Sequence, residues 1–273
     1  MENGTKNSDP SNKLADENFY PEAELQFFEK VWGEGFVSPG GPEEVAEILR
    51  DVDLENKRIL DIGCGMGGID ILLVKNHGAA KVVGIDVEGP VLEKARQYVL
   101  EADLMDRIEF RLVEPGPLPF DEASFDIVFS KDALLHISDK KMLFSEIFRT
   151  LKPNGMFVAG DWLRGEYEEV SEQMALFHKL THNEFDMVTL REYGLKLRDA
   201  GFSEVVLRDR NEWYLDVAKR ELDTIQGLKD EIIATVGLDT YENGWESFWQ
   251  VLVKTLISGE FRPAHIRASK LTK

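Results

Sequence analysis

The sequence predicts an α/β fold, a doubly wound and mainly parallel sheet of seven strands with helical insertions. Three observations carry that prediction. Apolar runs of strand length alternate with helix-period segments from Arg58 to Asp161, the rhythm of right-handed β-α-β units. The first run, Arg58-Ile59-Leu60-Asp61-Ile62, enters a glycine turn, Gly63-Cys64-Gly65-Met66-Gly67-Gly68. A second run, Val82-Val83-Gly84-Ile85, ends on the carboxylate of Asp86.

The elements follow in order. Helical periodicity covers Pro21–Trp32, the turn-rich Gly33–Pro42 comes next, and a second helix is expected at 43–50. Strands are expected at 58–62, 81–86, 107–112, 125–130 and 155–161, with helices at 67–76, 90–103 and 139–151 between them. Lys152-Pro153-Asn154-Gly155 reads as the break after the third of these helices. A helix from Thr189 to Ala200, Gly201 and a strand at 203–209 add one more unit. Residues 261–271 alternate as an exposed or edge strand would, and could pair antiparallel with a neighbour.

Two helical, aromatic-rich segments, 165–187 and 213–258, fall outside this rhythm. In an open α/β sheet the ligand crevice lies beyond the strand C-termini, where insertions at these points would form a lid. Extra helices packed for stability are the plainer reading. The expected organisation is a disordered tail at 1–15, a core at 16–164 with N-terminal latch helices, and a lid insertion at 165–188. Core at 189–212, a helical lid at 213–260 and a final core strand at 261–273 complete it.

With 273 residues and 43% hydrophobic content, the chain suits one large α/β domain with an insertion, or two small ones. No run reaches the roughly 18 apolar residues of a membrane span, and the N-terminus has no signal-peptide pattern. The sequence therefore reads as cytoplasmic, with no membrane partner. A formal charge of −19 repels phosphates and argues against nucleic acid. Most of that charge reads as a solvated face, part of it as attraction for a cationic ligand. The one cysteine, Cys64, excludes an internal disulfide and sits in the glycine turn as a small packed residue rather than a nucleophile. Oligomeric state cannot be read.

Gly63, Gly65 and Gly68 satisfy G-x-G-x-x-G, which alone is shared by several nucleotide enzymes. Asp61 lies two residues ahead of Gly63, where it repels a pyrophosphate and attracts a cation. Asp86 holds the place that bonds ribose hydroxyls. A ribose, a cationic amine and no phosphate together describe S-adenosylmethionine (SAM) better than a nicotinamide dinucleotide.

Those segments, with Ser124-Phe125-Asp126-Ile127-Val128 and Leu151-Lys152-Pro153-Asn154-Gly155, resemble the class I SAM-dependent methyltransferases, whose fold is Rossmann-like. Across nearly the whole chain, Phe19-Tyr20, Gly35-Phe36-Val37-Ser38-Pro39-Gly40-Gly41, Ser130-Lys131-Asp132-Ala133-Leu134-Leu135-His136 and Gly244-Trp245 resemble the phosphoethanolamine N-methyltransferases. That resemblance implies a latch of Tyr20 and His136 over the active site. It implies a SAM pocket of Val37, Ser38, Asp61, Gly63, Gly65, Asp86, Val87, Glu114 and Lys131. Lys131 replaces the family's arginine, and Glu114-Pro115 its aspartate-led pair. The family's phosphate-holding Arg-x-Tyr segment reads Asn183-Glu184-Phe185 here, a lysine is replaced by Phe248, and a tyrosine by Trp162. A phosphate dianion would lose its charge-assisted bonds.

The acceptor is accordingly expected to be a small zwitterion without phosphate. Within the same resemblance stand bacterial methionine S-methyltransferases, which make S-methylmethionine on a route to dimethylsulfoniopropionate. Trp162, Phe185, Phe248 and Trp249 could hold a sulfonium by cation–π attraction. Arg164 would take the carboxylate, and Asp132 or Asp161 the ammonium. Each has a plainer reading: Arg164 as a surface ion pair, the rings as lid core. His136 is either part of the site, with Asp132 four residues before it as a second candidate base, or a satisfied core histidine. His178 and His182 have i, i+4 spacing without a third ligand, and no metal is expected. The competing readings are N-methylation of phosphoethanolamine or a related small amine, and a SAM-binding protein without catalysis.

Overall fold

The computed structural model describes residues 22–167, 169–181 and 185–272. Its sheet has seven strands in the order β3-β2-β1-β4-β5-β7-β6: β1 Arg58–Ile62, β2 Lys81–Asp86, β3 Ile108–Leu112, β4 Phe125–Lys131, β5 Leu151–Asp161, β6 Ser203–Asp209 and β7 Ala264–Ser269. The first five pair in parallel, and β7 runs antiparallel to both β5 and β6. The chain steps outward from β1 to β3 and returns to β4, so the direction of winding reverses between β1 and β4. A reversal of this kind opens a crevice at the strand C-termini.

Side chains alternate between faces along each strand, and each face has its own core. Ile59, Val82, Ile127, Phe129 and Val158 pack with α2 (Gly41–Ile48), α3 (Gly68–Lys75) and α4 (Gly89–Glu101). Leu60, Val83, Val128 and Phe157 pack instead with α5 (Lys140–Thr150) and α7 (Leu190–Asp199). Asp139 caps α5 by accepting from the Met142 amide at 2.8 Å, and Thr189 with Glu192 forms a capping box on α7. A third core joins α1 (Glu22–Trp32), α6 (Glu172–Thr181), α8 (Asn211–Gly227), α9 (Lys229–Val236) and α11 (Ser247–Ser258), and α10 (Leu238–Thr240), just before α11, adds no buried residue to it. The Gly244-Trp245 pair falls in a π-helical turn, Tyr241–Glu246, between the last two. Among the described residues no helix is long and apolar enough to cross a membrane.

Two expectations need correction. The final strand is not at the edge: β7 lies between β5 and β6, and β6 is the edge. Its alternate polar residues find internal partners, His265 on Glu44 at 2.5 Å and Arg267 on the Ile48 carbonyl at 3.0 Å. The Lys152–Gly155 break lies inside β5 as a bulge, because Phe125 pairs with Leu151 while Ile127 pairs with Met156. Asn154 takes a left-handed φ of 62° there. The expected tail at 1–15 lies outside the described residues.

Candidate active site

β1 delivers its chain into the turn through glycines that need positive φ. Gly63 has φ 74°, and a Cβ there would lie 2.2 Å from Ala133 Cβ on the loop after β4. The Gly63 and Cys64 amides donate to the Ile85 carbonyl, tying the turn to β2. Across the turn runs the segment Gly35–Pro39. Gly35 approaches Gly68 so closely that a Cβ on it would lie 3.0 Å from Gly68 Cα, and the Gly68 amide donates to the Gly35 carbonyl at 3.1 Å. Val37 packs on Gly65, whose amide donates to Asp86 Oδ2 at 3.0 Å. Asp86 Oδ1 accepts from the Glu88 amide at 3.0 Å, and a carboxylate so held retains lone pairs for hydroxyl donors. Val87, beside it, is an exposed apolar residue, and Glu114 lies exposed just past β3.

Asp61 is 1% exposed and neither oxygen has a hydrogen-bond partner. Burial, with the Asp86 charge adding, pushes its carboxyl up to about 8. An unpartnered buried acid beside a glycine turn fits the cationic amine of SAM, and Asp86 fits its ribose. The residues present therefore suit that cofactor.

At the end of β4, Lys131 is sequestered. Its ammonium donates to Ser38 Oγ at 2.7 Å, the Pro39 carbonyl at 2.8 Å and Asp132 Oδ2 at 2.5 Å. Its charge pins the 35–39 segment to the end of β4. Asp132 takes φ 56°, and burial raises its carboxyl despite Lys131. Next comes a single 3-10 turn, Leu134–His136. The buried Asp161 accepts from the amides of Leu135 (3.1 Å) and Trp162 (3.0 Å) on Oδ1, so it holds this turn, while Oδ2 has no hydrogen-bond partner. Burial pushes Asp161 up to about 7, opposed by Lys140. Lys140, also buried, donates to the carbonyls of Ile137 and Asp186, while the Asp186 amide donates to Leu135. His136 and the segment bearing Phe185 are thereby locked together, ring centroids 5.2 Å apart. Burial, aided by Lys140, drives His136 down to about 4.

From His136 a chain of rings runs through the helical cover. Phe185 lies 5.9 Å from Phe177, which lies 5.2 Å from Phe248 and 4.7 Å from Phe261. Phe261 reaches Trp162 at 5.2 Å, and Trp162 reaches Tyr214 at 5.0 Å. Trp162, Phe185 and Phe248, singled out from sequence, thus join one cluster, as does Trp249 at 4.7 Å from Phe248. Arg164 does not join them: its guanidinium turns to Glu192 at 3.5 Å and lies over Tyr167. Tyr20, the other half of the expected latch, lies outside the described residues, as do His182, Asn183 and Glu184.

Sequence reasoning missed Asp70, Lys140 and Glu221, three of the buried ionisable residues. Asp70, on the first turn of α3, is fully buried in contact with Asp61, and its signal was a lone acid in the apolar run Ile69–Val74. Lys140 carries no local signal. Glu221 on α8 accepts indole N–H bonds from Trp32 (2.9 Å) and Trp249 (3.0 Å), a pairing only the fold could reveal.

Comparison with known proteins identifies the family of the chain. Residues 53–225 match a family described as a methyltransferase domain. Phosphoethanolamine N-methyltransferase 3 of Arabidopsis thaliana is 34% identical over 232 residues, which are 84% of this chain and 46% of that protein. The chain thus spans about half that relative's length. The phosphoethanolamine N-methyltransferase of Plasmodium falciparum is 28% identical over 88% of this chain and 89% of its own. Among solved structures, phosphoethanolamine N-methyltransferase 2 of Haemonchus contortus, bound to phosphomonomethylethanolamine and S-adenosylhomocysteine, superposes with a TM-score of 0.85. It is 24% identical and covers 94% of this chain and 60% of that one.

Proposed function

We propose, given that this chain belongs to the SAM-dependent methyltransferases with a methyltransferase domain, that its acceptor is a small zwitterion without phosphate. S-methylation of methionine to S-methylmethionine is the reaction that suits it best. The observation that carries this reading is the composition of the acceptor side. The described residues there are rings, acids and a histidine held near 4, and the lysines among them are spent on carbonyls and Asp132.

SAM, when bound, supplies an electrophilic methyl on a sulfonium, attacked in line by the acceptor's lone pair. The protein's part is orientation, worth up to roughly 7–11 kcal/mol. Asp61 receives a cationic group and Asp86 hydroxyls. The Trp162–Phe185–Phe248 rings exclude water and favour positive charge by cation–π attraction. The Lys140 bridge keeps His136 against Phe185.

Proton bookkeeping separates the finer readings. A thioether carries no proton, so S-methylation needs no base. An alkylammonium near 10 handing its proton to a histidine near 4 would climb by about 8 kcal/mol, at about 1.4 kcal/mol per pKa unit. His136 is therefore a poor base and a reasonable latch. A second reading, N-methylation of phosphoethanolamine or a related small amine, is favoured by the relatives' names and by the raised carboxyl of Asp132, which could take such a proton.

The test is incubation of the protein and SAM with methionine, phosphoethanolamine, ethanolamine and glycine, products identified by mass spectrometry. Transfer to methionine supports the first reading. Transfer to phosphoethanolamine alone overturns it in favour of the second. The pH–rate profile of His136→Ala adds a check: rescue of its rate at high pH would make His136 a base.

A further inference from the structure

Asp61 and Asp70 are both buried, and all four of their oxygens lack a hydrogen-bond donor. They approach each other from different elements, Asp61 from β1 and Asp70 from the first turn of α3, near enough for a hydrogen bond once one of them carries a proton. Two carboxylates touching in a dry interior cannot both be charged without a cation between them. A carboxylic acid donating to a carboxylate resolves the contact. We propose that Asp61 and Asp70 share one proton in the cofactor-free protein and release it to solvent when the cofactor's ammonium arrives, which makes Asp70 a positioning residue of the cofactor site.

The surroundings favour this. Asp86 of β2 adds negative charge near both acids, and the charges of all three raise the buried thiol of Cys64 beyond what burial does. Beyond the Gly35 segment, Glu29 bonds Tyr98 and the Gly35 amide. Burial raises the carboxyl of Asp70, and the neighbouring Asp61 raises it further. With the shared proton, the empty site carries one charge fewer. After its release, the pair presents the full negative charge to the ammonium that needs it.

S-adenosylhomocysteine is a suitable probe, since it keeps the amino-acid end and cannot turn over. Its binding should be followed by calorimetry between pH 6.0 and 7.5, below the roughly 7.7–8.0 of an α-amino group. In buffers of different ionisation enthalpy, the wild type is expected to release about one proton, and its Kd to fall by up to about tenfold per pH unit. Asp70→Asn, whose amide donates to Asp61 and so favours its carboxylate against the burial that raises it, is expected to bind with markedly less proton release and a flatter Kd than the wild type. Asp86→Asn leaves the pair intact and should retain the release per molecule bound, at a weaker Kd because a hydroxyl acceptor is altered. Buffer-independent enthalpies in the wild type would overturn the proposal, as would an unchanged slope in Asp70→Asn. If Asp70→Asn does not fold, the wild type and Asp86→Asn decide: release lost with Asp86 moves the proton there and ends the argument. The result does not depend on which acceptor is methylated.

Discussion

Glu221 offers a stability measurement whose sign and size follow from its surroundings. It is 7% exposed, bonded to two indoles that join α1 and α11 to α8, and burial pushes its carboxyl from an ordinary 4.5 to about 7. The folded protein then holds this proton more tightly than the unfolded chain does. Between about pH 4.5 and 7 the folded state binds more protons, so stability falls as pH rises and levels off above 7. Integrated from pH 5 to 8, this one group removes about 2.5 kcal/mol. Glu221→Gln abolishes the titration. Its amide oxygen can still accept from the indoles, while its NH2 lacks an acceptor and costs about 1–3 kcal/mol at every pH. Only the slope is therefore diagnostic. Urea unfolding of both proteins at pH 5 and 8 should show a loss about 2.5 kcal/mol smaller in the variant. The buried acids Asp61, Asp132 and Asp161 titrate with the same sign in both proteins and cancel in the difference. Equal slopes, within about 0.5 kcal/mol, would mean that Glu221 is not buried as a clasp and would sink the reasoning.

Gly63→Ala should abolish the thermal shift given by S-adenosylhomocysteine, because its Cβ would meet Ala133 at 2.2 Å on a left-handed backbone costing about 1–2 kcal/mol by itself. Retained binding would show that the turn can move. Lys140→Met should leave the Kd for S-adenosylhomocysteine unchanged and lower kcat/KM for the acceptor by about tenfold or more, since it removes the side-chain bridge between Ile137 and Asp186 and leaves one backbone bond to hold Asp186 to the His136 turn. An equal loss in both would point to general disruption instead. Arg164→Ala should change acceptor KM by less than about threefold, because the guanidinium already faces Glu192. A rise of tenfold would mean that it swings into the crevice.

Much of this molecule is legible in its sequence because the relevant forces are local. The strands β1, β2 and β6 and the glycine turn announce themselves through apolar runs and residues that alone tolerate positive φ. Lys152–Gly155 misleads because a break and a bulge use the same residues, and only pairing with β4 and β7 distinguishes them. The last strand misleads for a related reason. Its alternation of apolar and polar residues is what an edge requires, yet His265 and Arg267 find Glu44 and the end of α2 instead of water.

The site divides the same way. Asp61, Asp86 and the glycines are cued by spacing, whereas what surrounds the acceptor depends on contacts between distant segments. Arg164 and Lys131 look available in one dimension, and the fold assigns them to Glu192 and to Ser38, Pro39 and Asp132. The consequence is chemical. With these cations engaged, the described residues of the proposed acceptor side are rings, carboxyls and a histidine driven down to about 4, a setting that stabilises positive charge and offers little to a phosphate dianion. A phosphate held by the described lysines would draw Lys131 from Asp132 or Lys140 from Asp186, loosening the cofactor segment or the His136 turn. A phosphorylated acceptor would therefore show its binding as lost order in those two places, which hydrogen exchange at Ser38 and Leu135 would report.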